Sequence, residues 1–364
     1  MFHPFTPRKT MNTRKIIPML LSTLSLAMMP AMAQAEATPS RLGYVIVTDS
    51  LPADQTVDVA DMIQKVIDDN PNRTIYFPDR TYLLSHPILT PASPKTSVDL
   101  QLSNYAVIKA APGWNSPEAL VRLGAKDKAN DIYTIGSNYS FTGGCIDGSD
   151  VANGISIDGG RETAIRNVSI KHTRVGIHIK HGANSGSSDS DIMSVNIVGN
   201  KAKDSIGVLV EGYDNTISNM RIANVYIGLD IRSGGNSLRN LHPLWTLSAD
   251  NYVGSIGFRD GSNNNFYSFC YSDQFETGFR FAPNSYLTLD SCFCYWYRAM
   301  GLERAIYAQG KFEAVVNNLR IGFNGNNKEN SVLKAEVPGG NGILNRASWY
   351  RPLIDNEHEP YLRK

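Results

Sequence analysis

His178, Lys180, Glu211, Asp230, Arg232, Arg259, Arg280 and Tyr307 are proton carriers and cations set in equivalent places of a repeated segment. The segment is clearest at Gly154-Ile-Ser-Ile-Asp158, Gly176-Ile-His-Ile-Lys180, Gly207-Val-Leu-Val-Glu211 and Gly228-Leu-Asp-Ile-Arg232. It continues more loosely at Gly257-Phe-Arg259, Gly278-Phe-Arg280 and Ala305-Ile-Tyr307. Alternation in a strand sends the residues one and three after the glycine inward and those two and four after it outward. Stacking the segments predicts one outward column of Ser156, His178, Leu209, Asp230, Arg259, Arg280 and Tyr307. A second reads Asp158, Lys180, Glu211, Arg232, Gly261, Ala282 and Gln309. Asp260 falls on an inward position, which predicts a short or bent rung there.

Two chemistries fit these residue types. Elimination from a uronate needs the carboxylate neutralised, the C5 proton removed and the leaving oxygen assisted. Arg232, Arg259 and Arg280 are candidates for the first task. Lys180 or His178 could be the base and Tyr307 the acid, with Asp158 as a further substrate contact. Glycoside hydrolysis needs two carboxylates flanking the bond. Asp158 and Glu211, or Glu211 and Asp230, could supply them at about 8–10 Å given the usual rung spacing. The alternating signs of Asp158, Lys180, Glu211 and Arg232 also stabilise a sheet without any function. Arg259 and Arg280 do not alternate, and a like-charged pair one rung apart suggests an anion between them, such as a sugar carboxylate. All these residues should line one exposed groove.

These residues need a scaffold that stacks, and the repeats supply it. Asn167, Ser194, Asn219, Asn240, Ser268, Ser291 and Asn318 recur in similar β-rich contexts, separated by 27, 25, 21, 28, 23 and 27 residues. A period of this size marks a solenoid whose repeats bury their apolar faces only against their neighbours. The Asn and Ser column is expected to be a buried hydrogen-bonding ladder, catalytically silent at Asn167, Asn219, Asn240 and Asn318. The register glycines are 22, 31, 21, 29 and 21 residues apart. The two long coils carry inserts at 181–189 and 242–250, and inserts on one side of a solenoid rim a binding groove.

Before the repeats, Val59, Met62, Ile63, Val66 and Ile67 share one face of a helix over 58–70. Asp58 is placed to cap it and Asn70-Pro71 to stop it. Such a helix covers the open edge of the first coil. Residues 36–52 read as a linker or a first strand, with Tyr44 to Val47 the ordered part. Tyr295, Trp296, Tyr297, Tyr267 and Tyr271 offer flat surfaces for sugar rings or pack against the coil. Of the four cysteines, Cys270 lies one coil before Cys292 and Cys294, so an inter-coil bridge and buried free thiols are both open.

The helix, then Ile75-Tyr-Phe-Pro78, Thr81-Tyr-Leu-Leu-Ser85 and Pro87-Ile88, followed by Cys145-Ile-Asp-Gly148, resembles the pectate-lyase superfamily of right-handed parallel β-helices. The resemblance spans roughly residues 54–325. It implies an all-β, single-stranded right-handed parallel β-helix with an N-terminal capping helix, one domain over 36–364 and a C-terminal cap from about 342 to 364. It does not name an activity, because the superfamily includes lyases, hydrolases, epimerases and phage tailspikes. The Asn-Thr-Asp, Asp-Asp, Gly-His-Gly and Arg-Ile-Lys segments of its polygalacturonases are not intact here. No clustered acidic ligands of the calcium pectate-lyase kind are evident. No catalytic residue is carried over from the family, and Asp147 and Asp150 are read as turn residues. No cofactor or metal ligand is assigned, although Ca2+ could assist carboxylate neutralisation.

The first 35 residues read as a secretory leader, with a basic start, an apolar run over 16–29 and cleavage expected after Ala33 or Ala35. Met11 is an alternative start. The mature chain is expected to be secreted or periplasmic, without a membrane span. A net charge of +1 argues against a general nucleic-acid partner. The expectation is an exported polysaccharide lyase on a uronate-containing, anionic polysaccharide or oligosaccharide. The alternatives are an inverting glycoside hydrolase and a non-catalytic or tailspike-like glycan-binding solenoid.

Overall fold

Each turn of the chain contributes one strand to a nine-stranded parallel sheet. Its members are Ile88–Leu89, Ala119–Leu123, Asn153–Ile157, Val175–Ile179, Ile206–Val210, Ile227–Ile231, Ile256–Asp260, Thr277–Phe281 and Arg304–Ala308, stacked in that order. The computed structural model describes residues 43–323 apart from 94, 127–139, 182–186, 247–251, 284, 298–302 and 309–312, and also the strands Ile343–Asn345 and Leu362–Arg363. The expected leader, Gln309 and most of the expected C-terminal cap lie outside the described residues. The remaining strands of each turn join a second hydrogen-bonded set of parallel strands. Thr216–Ala223 and Ser237–Leu244, for example, pair along their length on either side of a sharp corner. A parallel stack closed on itself in this way is an all-β solenoid.

The inward positions carry the packing. Ile155, Ile177, Val208, Leu229, Phe258, Phe279 and Ile306 are consecutive partners in register and are buried. Phe258 and Phe279 stack face to face at 4.7 Å. The recurring glycine beside them is a matter of room: a Cβ at Gly207 would sit 2.4 Å from Ile222 Cγ2 on the opposite wall.

The Asn and Ser column is not the expected buried ladder. Asn167, Ser194, Asn219, Asn240, Ser291 and Asn318 have φ between 51° and 58° and form the corner of each coil. Asn167, Asn219, Asn240 and Asn318 are exposed. Backbone N–H groups link the coils here, Asn167 N donating to Met193 O and Ser194 N to Ser218 O, and one exposed side-chain bond joins them, Asn240 Nδ2 donating to Asn219 Oδ1 at 2.9 Å. Asn suits a left-handed corner because its short polar side chain tolerates that region and stays hydrated. In one coil the corner residue is Phe269, not Ser268, with φ 55° and 54% of its surface exposed. The buried ladder lies elsewhere. Asn215 Nδ2 donates to Asn236 Oδ1 at 3.0 Å, and Asn236 Nδ2 to Asn265 Oδ1 at 3.1 Å.

Asp260 terminates that ladder. Its rung is neither short nor bent, because Ile256–Asp260 is a regular five-residue strand. The inward carboxylate accepts from Asn265 Nδ2, Tyr267 Oη and the Ser262 N–H. Burial still dominates these bonds and pushes its carboxyl above the ordinary range.

At the N-terminal end the helix is Ala60–Asp69, within the expected span, with Val59, Ile63, Val66 and Ile67 buried and Met62 exposed. Asp58 Oδ1 accepts from the Ala60 N–H at 3.1 Å. Gln64 exchanges two hydrogen bonds with the backbone of Leu89, so a helix side chain completes the edge of the nine-stranded sheet. Cys270, Cys292 and Cys294 are buried free thiols, not a bridge. Trp296 and Tyr267 are core residues, whereas Tyr297 is 57% exposed. Among the described residues no helix is long and apolar enough to cross a membrane.

Candidate functional site

The outward face of the nine-stranded sheet carries the first predicted column without a slip. Ser156 pairs with His178, His178 with Leu209, Leu209 with Asp230, Asp230 with Arg259, Arg259 with Arg280 and Arg280 with Tyr307. Asp158, Lys180, Glu211 and Arg232 follow directly after their strands, each N–H bonded to the preceding rung. Every described member of the two columns therefore shares one face. The two long inserts join opposite ends of their strands, one following Val175–Ile179 and the other preceding Ile256–Asp260.

Three groupings divide the face. The first surrounds Asp158, which is buried. Arg122 Nε donates to Asp158 Oδ2 at 3.0 Å, Lys180 Nζ donates to the same oxygen at 3.1 Å, and Ser156 Oγ donates to Oδ1. Lys180 also donates to Glu118. Burial opposes ionisation of Asp158, but Arg122, Ser156 and Lys180 outweigh it and hold the carboxyl below its ordinary range. With two carboxylates on its ammonium, Lys180 is a structural cation here. Arg122 and Glu118 were not expected. Their coil carries Leu120 where the coils from Gly154 to Gly278 carry glycine, and the one available signal was the matching alternation Leu120-Val-Arg-Leu123.

The second grouping is a chain of pairs. His178 Nε2 lies 2.8 Å from Glu211 Oε2, and Arg232 donates to Glu211 Oε1 at 2.9 Å and to Asp230 Oδ2 at 2.9 Å. Arg259 Nε donates to Asp230 Oδ1 at 2.7 Å. Partial burial works against the Glu211 charge, but His178 and Arg232 prevail and its carboxyl sits below the ordinary range. Burial likewise works against the Arg232 charge, but Asp230 and Glu211 hold its guanidinium more firmly protonated than usual. The expected like-charge clash of Arg259 and Arg280 is therefore half resolved inside the protein, because Asp230 neutralises Arg259.

The third grouping is Arg280 with Tyr307. The Arg280 guanidinium carbon is 5.6 Å from the Tyr307 ring centroid, and Arg304 approaches the same ring at 4.8 Å. Arg304 is paired in turn with Glu276 at 3.3 Å. Among the described residues no carboxylate lies within ion-pair distance of Arg280. Glu276 and Arg304 are further residues that the glycine register did not single out.

Among the described residues no group of three or more His, Cys, Asp or Glu side chains is placed to hold a metal ion. Glu118, Asp158, Glu211 and Asp230 each contact an Arg or Lys.

No protein-family model matches the sequence, and no curated protein matches it. Solved structures do. An alginate lyase from Paenibacillus sp. str. FPU-7 is 16% identical over 73% of this chain and 96% of its own, with a TM-score of 0.51. An exopolygalacturonase from Thermotoga maritima is 11% identical over 77% of this chain and 88% of its own, with a TM-score of 0.52. The tailspike of E. coli bacteriophage HK620 is 12% identical over 85% of this chain and 66% of its own, with a TM-score of 0.56. At such identities the likeness is one of architecture, and the architecture is the right-handed parallel β-helix.

Proposed function

We propose that this chain is an exported carbohydrate-active enzyme that cleaves a uronate-containing polysaccharide by β-elimination. The observation that carries the reading is Arg280. It is a cation of the charged face without a carboxylate partner among the described residues, and a tyrosine is its next neighbour in the column. A uronate carboxylate seated on Arg280 would accept charge-assisted bonds of the kind Asp230 accepts from Arg259. Tyr307, one rung on and acting as its phenolate, then takes the C5 proton and becomes the phenol. The C4–O bond breaks as the C4=C5 double bond forms, and the phenol returns the proton to the departing oxygen.

The other proton carriers lie too far away to share that bond. His178 is four rungs from Arg280, or about 19 Å at the usual spacing. The His178–Glu211 pair therefore serves a distant unit of the same polymer, and the base expected at His178 or Lys180 moves to Tyr307. Hydrolysis is less well supported. Its general acid needs a raised pKa, whereas Glu211 is held low and shares Arg232 with Asp230. The glycan-active names of the Paenibacillus and Thermotoga neighbours support a carbohydrate partner. The leader-like N-terminus supports export.

Incubation with pectic, alginate-like and fructan polysaccharides tests the reading. Ultraviolet absorbance of an unsaturated uronate, appearing with anionic polymers alone, is the expected result. Reducing ends without that absorbance would establish hydrolysis. Gel retardation without any cleavage would establish a binding solenoid.

A further inference from the structure

Glu276 lies on the far side of the arginine–tyrosine pair and takes no part in the proposed chemistry, yet it is nearly buried and fully engaged. One oxygen, Oε2, accepts the Gly254 N–H at 2.6 Å, and the other, Oε1, holds Arg304 at 3.3 Å. Gly254 belongs to the short segment 252–255 that leads into Ile256–Asp260, and its φ is 83°. A Cβ there would meet the Tyr226 hydroxyl at 2.1 Å, and that hydroxyl donates to Val253 O at 2.6 Å. The segment is thus tied down at Val253 and Gly254. Arg304, held by Glu276, lies with its guanidinium carbon 4.8 Å from the Tyr307 ring centroid. One carboxylate joins this segment to the ring through a single guanidinium.

We infer that Glu276 is a positioning residue: it fixes Arg304 against Tyr307 and makes that placement depend on the segment carrying Gly254. A salt bridge that only stabilised the coil would not need the second oxygen on a neighbouring segment. A hydrogen bond that only anchored the segment would not need Arg304. The charged and titratable groups around Glu276 are Arg304, Tyr226, Tyr252 and Glu303, with Tyr252 Oη 3.1 Å from Glu303 Oε1. The inference rests on the lyase reading for its kinetic consequence alone.

The test uses the full chain with 13C-labelled tyrosine, the Tyr307 ring resonance being assigned by Tyr307→Phe. In Glu276→Gln that resonance should shift, and amide exchange of the peptide bearing Gly254 should rise about tenfold. On a cleaved polymer kcat should fall about tenfold while KM stays within about twofold, as expected for a misplaced proton carrier. Glu276→Asp should restore part of each change. Raised exchange with an unmoved Tyr307 resonance would overturn the inference and leave a loop anchor. If no polymer is cleaved, the lyase reading fails, but resonance and exchange still decide this one. Should Glu276→Gln not fold, Arg304→Gln replaces it: the Tyr307 resonance must shift, and an unmoved one refutes the coupling.

Discussion

Arg259 grips Asp230 with two parallel bonds, Nε to Oδ1 at 2.7 Å and Nη2 to Oδ2 at 2.5 Å, although Arg280 is the neighbour one rung further on. The guanidinium turns toward the carboxylate at its back, and this separates two arginines that look alike in the sequence. One is consumed by the fold, and the other, Arg280, has no carboxylate within ion-pair distance among the described residues.

Arg280→Ala should therefore weaken binding of an anionic polysaccharide about tenfold, the scale of one charge-assisted hydrogen bond. Its stability should stay within about 0.5 kcal/mol of the parent, because no internal ion pair is lost. Isothermal titration with an acidic oligosaccharide and urea unfolding measure the two effects. A large stability loss would assign Arg280 to the scaffold.

Asp230→Asn should show the opposite signature. Asp230 is 2% exposed and meets both Arg259 and Arg232. Its neutral replacement should cost on the order of 2 kcal/mol in urea unfolding. Affinity for an anionic polymer should hold or rise, since Arg259 becomes available to it.

Acid should unfold the protein in part through Glu211 and Asp158. Both carboxyls are held below their ordinary values in the folded chain. Their contribution is present in full above the unfolded carboxylate range of about pH 4. It is lost as pH falls through the depressed folded values, because there the unfolded state binds more protons. Glu211→Gln should be less stable than the parent near neutrality, and the gap should close below about pH 4. Urea midpoints at the two pH values decide this, and a constant gap contradicts it.

Phe269→Asn should stabilise the fold by about 1 kcal/mol, the usual penalty for an ordinary side chain in the left-handed region. The ring is 54% exposed, and Asn restores the residue type of the corners at Asn167, Asn219, Asn240 and Asn318. A higher thermal midpoint is the expected outcome. A lower one would mean that the Phe269 ring has a contact worth more than its strain.

Columns were legible in the sequence, and environments were not. The glycine spacing placed Ser156 through Arg280 in register because the opposite wall comes close in the coils from Gly154 to Gly278, as at Gly207. The corner Asn residues were equally periodic, but Asn suits both a left-handed corner and an inward ladder, and period alone does not separate the two. The true ladder, Asn215, Asn236 and Asn265, repeats at 21 and 29 residues, in step with the glycines. Asp260 looked like a defect because its hydrogen-bond partners, Asn265 and Tyr267, lie around the turn on another wall. Arg122 escaped because Leu120 replaces the marker glycine. The pairing of Arg259 with Asp230 is a side-chain orientation that column order does not specify.

The parallel register also has an evolutionary consequence. His178 and Arg280 are separated by a whole number of coils, so duplicating or deleting one coil between them would change the length of the face by one fixed increment and leave each end's chemistry intact. On the proposed reading, chain-length preference would change in such fixed steps, independently of point mutation at the ends.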